Sequence, residues 1–218
     1  MTLGPVAAPG IVLLGPPASG KGTQGRMLAE HCELAYLSTG KQLRREIKAG
    51  SALGQRAEPF LAAGQFVPDD LALTLALDWI KGVEGGWVLD GFPRTLPQAE
   101  NLDAFLGPES DDLRALLLEV PAPELERRVA DRRECSACPW TGTRAQAEAS
   151  GRCPSCGEDL VQRQDDHLVN FRRRLKAFDD LTSPVAHYYD STSRLQRVMG
   201  TGPPEDVFRQ IQALYELP

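Results

Sequence analysis

Apolar residues in this chain gather in short runs, and the stretches between them alternate apolar and polar positions at helical intervals. Ile11-Val12-Leu13-Leu14 is the first run and ends in a Gly/Pro turn, and Ala35-Tyr36-Leu37 is a weaker second. Trp87-Val88-Leu89, Leu116-Leu117-Leu118-Glu119-Val120 and Leu195-Gln196-Arg197-Val198-Met199 follow. The spacing predicts helices over about residues 21–31, 40–49, 95–106 and 121–133, one after every strand but the last. Strands too continuously apolar to keep one face wet, joined by helices, imply an α/β fold: a five-stranded parallel sheet covered on both faces. Ligands of such sheets gather at the carboxyl ends of the strands.

Two segments break the alternation. Residues 38–67 hold two short helical patterns interrupted at Gly50 and Gly64, and Asp69 follows where it can cap the next helix. Residues 134–166 are rich in Cys, Gly, Pro and polar groups and have no apolar period. Both read as insertions on a core made of 1–37, 68–133 and 167–218.

A length of 218 residues suits one domain with insertions of this size, and 42% apolar residues are enough to fill its core. The net charge of −6 speaks against nonspecific nucleic-acid binding, so clustered arginines call for another explanation. No apolar run approaches the roughly 18 residues of a membrane span. Met1 to Pro17 has no basic leader, which makes the cytoplasm the expected compartment.

Gly15-Pro16-Pro17-Ala18-Ser19-Gly20-Lys21-Gly22-Thr23 follows a strand and opens a helix, the context of a phosphate-binding loop. Glycines let backbone N–H groups turn toward phosphate oxygens, the helix N-terminus adds partial positive charge, and Lys21 can reach the outer phosphates. The competing reading is a plain Gly/Pro turn. Farther on, Cys135-Ser136-Ala137-Cys138 and Cys153-Pro154-Ser155-Cys156 form two knuckles separated by 14 residues. Four thiolates satisfy tetrahedral Zn²⁺ and leave no open position, so the site they suggest is structural; disulfides would need an oxidising compartment. So short and polar a segment has no core of its own and depends on the ion to fold.

On a helix turning ~100° per residue, Leu168, Phe171, Leu175 and Phe178 share a face, and Arg174 lies on it while Arg173 points almost opposite. A cation on an apolar face calls for an anionic partner, unless it snorkels to the rim. Arg128 and Arg132 are spaced to project from one side of a helix, either toward a ligand or as a surface ladder with Glu124.

The Gly-Lys-Gly-Thr loop resembles that of nucleoside monophosphate kinases, and further stretches narrow the likeness to the adenylate kinase family. Ser38-Thr39-Gly40, Leu43-Arg44, Asp90-Gly91-Phe92-Pro93-Arg94-Thr95 and Pro97-Gln98-Ala99 stand in the family's order and spacing, as do Arg163-Gln164-Asp165-Asp166, Arg174 and Gly200-Thr201. The resemblance implies a P-loop NTPase-type sheet, a helical arm for the monophosphate and a zinc-binding lid. It implies transfer between ATP and AMP, giving two ADP, with Mg²⁺ on the ATP. Lys21, Arg94, Arg132, Arg163 and Arg174 would be catalytic. Pro17, Ala18, Ser19, Gly20, Gly22, Thr23, Arg128 and Gly202 would join Lys21 and Arg132 around ATP. Thr39, Arg44, Gly91, Phe92, Pro93 and Gln98, with backbone groups of Gln65, Phe66 and Val67, would join Arg94, Arg163 and Arg174 around AMP. Asp90, at a strand end, is the best acidic candidate for Mg²⁺, held through water, or else caps a turn. Arg44 alone could equally belong to a solvated helix face beside Arg45 and Lys48.

Lys41 stands where the family usually has Asp, Gln65 where Lys is frequent, and Met199 where Asp is common. No arginine of the set is lost. A monomer that binds neither nucleic acid nor membrane is expected. The rival functions are a kinase for another monophosphate, or a zinc-ribbon module whose P-loop acts as a switch.

Overall fold

The computed structural model describes residues 10–138, 140–147 and 151–215. Residues 1–9, part of the N-terminal stretch read above, lie outside the described residues.

Five parallel strands form the main sheet: β1 (Gly10–Leu14), β2 (Ala35–Ser38), β3 (Trp87–Asp90), β4 (Arg114–Glu119) and a last strand at Leu195–Met199. Counted across the sheet, the last strand lies beyond β4, and the order runs β2, β3, β1, β4, last strand. Alternate residues of β1 feed two separate cores. Val12 and Leu14 pack on one side with Trp87, Leu89, Ala115 and Leu117, while Ile11 and Leu13 pack on the other with Val88, Leu116 and Leu118. Both faces are therefore buried, the two-sided covering that the apolar runs imply. The chain leaves β1 toward β2 on one side and later reaches β4 on the other, so the loop after β1 sits at the topological switch point.

Helix α1 (Lys21–His31) covers one face. The other face carries α2 (Thr39–Lys48), α3 (Ala52–Ala62), α4 (Asp69–Lys81) and α5 (Leu96–Leu106). Asp69 does not cap α4: Pro68 occupies that position, and the Asp69 carboxylate instead accepts from Thr95 Oγ1 at 3.0 Å and Gln98 Nε2 at 2.6 Å. Helix α6 (Ala122–Asp131) stops two residues before the spacing predicts. Arg132 already has extended backbone and opens strand β5 (Arg132–Cys135), paired with β6 (Thr141–Thr143) and β7 (Leu160–Val161). Cross-strand pairing there outweighs the helical period, and Arg128 and Arg132 do not share a helix face.

Helix α7 (Leu168–Ala177) runs into one π-helical turn, Phe178–Thr182, and then α8 (Ser183–Ser191). Phe171 is buried against Leu125 and Val129 of α6, and Leu175 packs beside them. Leu168, placed on the same face by periodicity, is 50% exposed: at the first position of α7 it overhangs the contact. The last strand, β8 (Leu195–Met199), is followed by α9 (Pro204–Tyr215), which the sequence pattern does not predict. Pro204 takes the first helical position, where its missing N–H costs nothing. Val207, Phe208, Ile211 and Tyr215 then bury one stripe of α9 beside α1.

Candidate active site

The loop after β1, the first turns of α1 and α2, the ends of β3 and α6, and residues of β5 and α7 surround one cleft of about 720 Å³. Gly20 takes φ 99°, a left-handed conformation that glycine adopts without strain, and so turns the loop into α1. Lys21 Nζ bends back along the loop and donates to Gly15 O at 2.6 Å and Pro16 O at 2.8 Å. Burial pushes the Lys21 ammonium down to about 7, partly opposed by Asp90 and aided by Arg94, Arg174 and Arg132. These three cations come from separate elements and line the same cleft as Lys21.

Asp90 ends β3 with its Oδ2 accepting from Tyr36 OH at 2.9 Å. Burial and the Asp90 charge together push the Tyr36 phenol far above its ordinary value, so it stays a donor. A Cβ at Gly22 would stand 3.3 Å from Asp90 Oδ2, which puts the carboxylate directly against the start of α1. Asp90 thus offers hard oxygen donors beside the phosphate loop, a fit for Mg²⁺.

Opposite, a chain of ion pairs holds the remaining arginines. Arg163 grips Asp165 with two bonds, Nε at 2.9 Å and Nη2 at 2.7 Å, and reaches Glu134 at 3.2 Å. Arg174 lies 3.0 Å from Asp165, and both Arg174 and Arg132 meet Asp166, whose side chain is wholly buried. Burial would raise the Asp165 carboxyl, but Arg163 and Arg174 outweigh it and hold it well below the usual range. For Arg163, burial opposes the charge while Asp165 and Glu134 raise it. Arg174 has the anionic partner that its place on an apolar face calls for, rather than snorkelling to the rim.

Arg128 donates to Ser19 O at 3.2 Å, Gly200 O at 2.7 Å and Glu124 at 2.7 Å, tying the phosphate loop to the end of β8. Arg44 folds over Gly40, 3.6 Å from the place of a Cβ there, and burial lowers its pKa. Thr39 Oγ1 donates to Gly91 O at 2.9 Å. Gln98 accepts from Arg94 N at 2.8 Å and donates to Asp69, so its partners settle which end is oxygen. One N–H and one lone pair of that amide remain for a ligand.

Pro17 to Thr23, Thr39, Arg44, Gln65, Phe66, Val67, Gly91, Pro93 and Gly202 all border the cleft. Phe92 does not: it is fully buried in the core beneath, so the side chain is a packing residue and not part of the pocket. Arg26, Tyr36 and Thr182 border the cleft or touch its residues without having been singled out by the sequence pattern. Arg26 lies one helical turn after Gly22, a periodic signal that could have found it; Thr182 is placed by the π-helical turn and leaves no such trace. Lys41, at the family's usual Asp position, also lines the cleft, where burial lowers its pKa.

The four knuckle cysteines stand away from the cleft with all Sγ atoms within 4.8 Å of one another. Cys135 and Cys156 are 3.4 Å apart and Cys138 and Cys153 3.6 Å, while Zn–S bonds of ~2.3 Å imply tetrahedral edges of ~3.8 Å. Backbone N–H groups of Ala137, Cys138 and Ser155 point at the sulfurs of Cys135 and Cys153. All four are free thiols, and the set fits a structural zinc ion.

Comparison with known proteins agrees with this geometry. A family model described as adenylate kinase matches residues 13–194. An adenylate kinase of Streptomyces coelicolor is 39% identical over 92% of this chain and 95% of its own length. One from Lachnospira eligens is 38% identical over 92% and 97%, and one from Methanothrix thermoacetophila 38% over 92% and 95%.

Proposed function

The chain belongs to the adenylate kinase family, and on that premise we propose how its cleft interconverts ATP plus AMP with two ADP. The donor's phosphates lie in the loop Gly15–Thr23, where backbone N–H groups and Lys21 receive them. Arg128 and Gly202 border the donor's base side, and Arg132 meets its phosphates. The acceptor lies between Thr39, Arg44, the backbone of Gln65 to Val67, and Arg94, with the free edge of the Gln98 amide turned to adenine.

An oxygen of the AMP phosphate attacks the γ-phosphorus of ATP in line, and the bond from that phosphorus to the β-phosphate's bridging oxygen breaks. Its electron pair stays on the departing ADP, and no covalent enzyme intermediate forms. Lys21, Arg94, Arg132, Arg163 and Arg174 stabilise the negative charge spread over the transferring group, the main contribution a protein makes to this chemistry. Mg²⁺ carried in with ATP would supply charge neutralisation at the phosphate oxygens, and Asp90 would hold it through water. Segment 38–67 acts as the acceptor's arm and 134–166 as a zinc-stapled lid that excludes water. A contact between them, Lys48 Nζ to Ser136 O at 3.3 Å, supports their meeting over the cleft.

The observation that carries this reading is that Lys21, Arg94, Arg132, Arg163 and Arg174, from separate elements, line one cleft beside the phosphate loop. Turnover of ATP with AMP, CMP, UMP and GMP in turn tests it. AMP is expected to have the highest kcat/KM; a different preferred monophosphate would reassign the acceptor.

A further inference from the structure

Arg94 differs from the other arginines of the cleft in what holds it. Arg132, Arg163 and Arg174 each rest on Asp165 or Asp166. Among the described residues, Arg94 has no carboxylate within ion-pair distance, and neutral groups orient it instead. Its Nε donates to Gly91 O at 2.6 Å, its N–H to Gln98 Oε1, and its carbonyl accepts from Thr182 Oγ1 at 2.9 Å. The remaining side of the guanidinium is covered by the ring of Phe66, whose centroid lies 4.7 Å from Cζ.

We propose that Phe66 is a positioning residue for phosphoryl transfer, its ring face holding the Arg94 guanidinium by cation–π attraction in the orientation that meets the acceptor's phosphate. A carboxylate in that place would orient the group equally well but would compete with the incoming phosphate for the charge. An aromatic face attracts the cation without neutralising it and takes up none of its N–H donors. Nε is turned back on Gly91, so the two terminal nitrogens are the ones left for a bidentate grip on phosphate. Phe66 is half-buried, and the next residue, Val67, is anchored in the core, so the ring is presented from the 38–67 segment on a short fixed lever. This use of the side chain is separate from the backbone role of Gln65 to Val67 around the base, and it rests on the reading that Arg94 meets the acceptor.

The test uses the full chain with Phe66→Leu, Phe66→Tyr and a series of progressively fluorinated phenylalanines at position 66, which keep the ring's shape but weaken its negative face. With AMP varied at saturating ATP, Phe66→Leu is expected to lower kcat/KM about tenfold, with KM for ATP unchanged, and Phe66→Tyr to stay within about twofold of the parent. The fluorinated series is expected to decline stepwise at constant melting temperature. A flat series in an active enzyme, or a Phe66→Leu effect confined to melting temperature, would reduce the ring to a space-filling role and overturn the proposal. An unsubstituted protein that fails to phosphorylate AMP would overturn the assignment of AMP as the acceptor, and this proposal with it.

Discussion

The sheet side of the cleft and the cysteine-bearing arm present cations to the same space, but they are held by opposite physics. Lys21 and Arg94 follow strands β1 and β3, whose residues Ile11 to Leu14 and Trp87 to Leu89 are almost wholly buried, and backbone carbonyls steer both side chains. In the arm from Arg132 to Arg163, Cys153 is the single buried apolar residue among the described ones. Its three short strands depend on four thiols and on the Arg163–Glu134 and Arg163–Asp165 pairs. A core built from many small dispersion and burial terms tolerates loss of one polar side chain, whereas an arm built from a few strong local contacts does not.

Substitution on the sheet side should separate rate from stability most sharply. Arg94→Ala is expected to lower kcat about 100-fold or more while the circular dichroism spectrum and melting temperature stay near the parent's. Near-normal turnover would remove Arg94 from the transfer step. Cys153→Ser should do the reverse: bound zinc falls, melting drops by several degrees, and kcat declines only about tenfold through the displaced Arg163. Unchanged metal content and melting would show that the arm does not depend on a metal.

A third effect, on stability alone, concerns the ion-pair chain. Asp165→Asn leaves Arg163 and Arg174 short of a carboxylate and should cost about 2–3 kcal/mol at pH 7. The Asp165 carboxyl is held below its unfolded value, so its contribution is fully present above about pH 4 and disappears as pH falls through the lower, folded value. The gap in stability between parent and variant should therefore be constant from pH 7 to about pH 4 and close below it. Denaturation followed across that range checks the sign, and a gap already closed at pH 6 would place the stabilisation elsewhere.

Much of this arrangement is readable from local pattern. The five strands, the turn around Gly20 and the knuckle spacing of Cys135, Cys138, Cys153 and Cys156 are encoded by neighbours a few residues apart. The places where pattern fails share a cause. Arg132 leaves the helical period because Thr143 offers a cross-strand partner. Phe92 turns into the core although its neighbours Gly91 and Pro93 face the cleft. Leu168 is left exposed at the first position of α7, and Asp69 pairs with Thr95 and Gln98, 26 and 29 residues away, instead of capping its helix.

The apolar runs that become strands, the phosphate loop and the metal-binding thiols follow from chemistry within a few turns of chain, where φ/ψ preference and periodicity act. Which carboxylate meets which guanidinium, and the seating of Arg94 on Phe66, were decided only once β3, α3 and α7 had packed. Apart from the local Arg163–Asp165 pair, contacts such as Arg132–Asp166, Arg163–Glu134 and Arg94–Phe66 join residues far apart along the chain, and no local preference carries the sign or distance of a partner that only folding brings near.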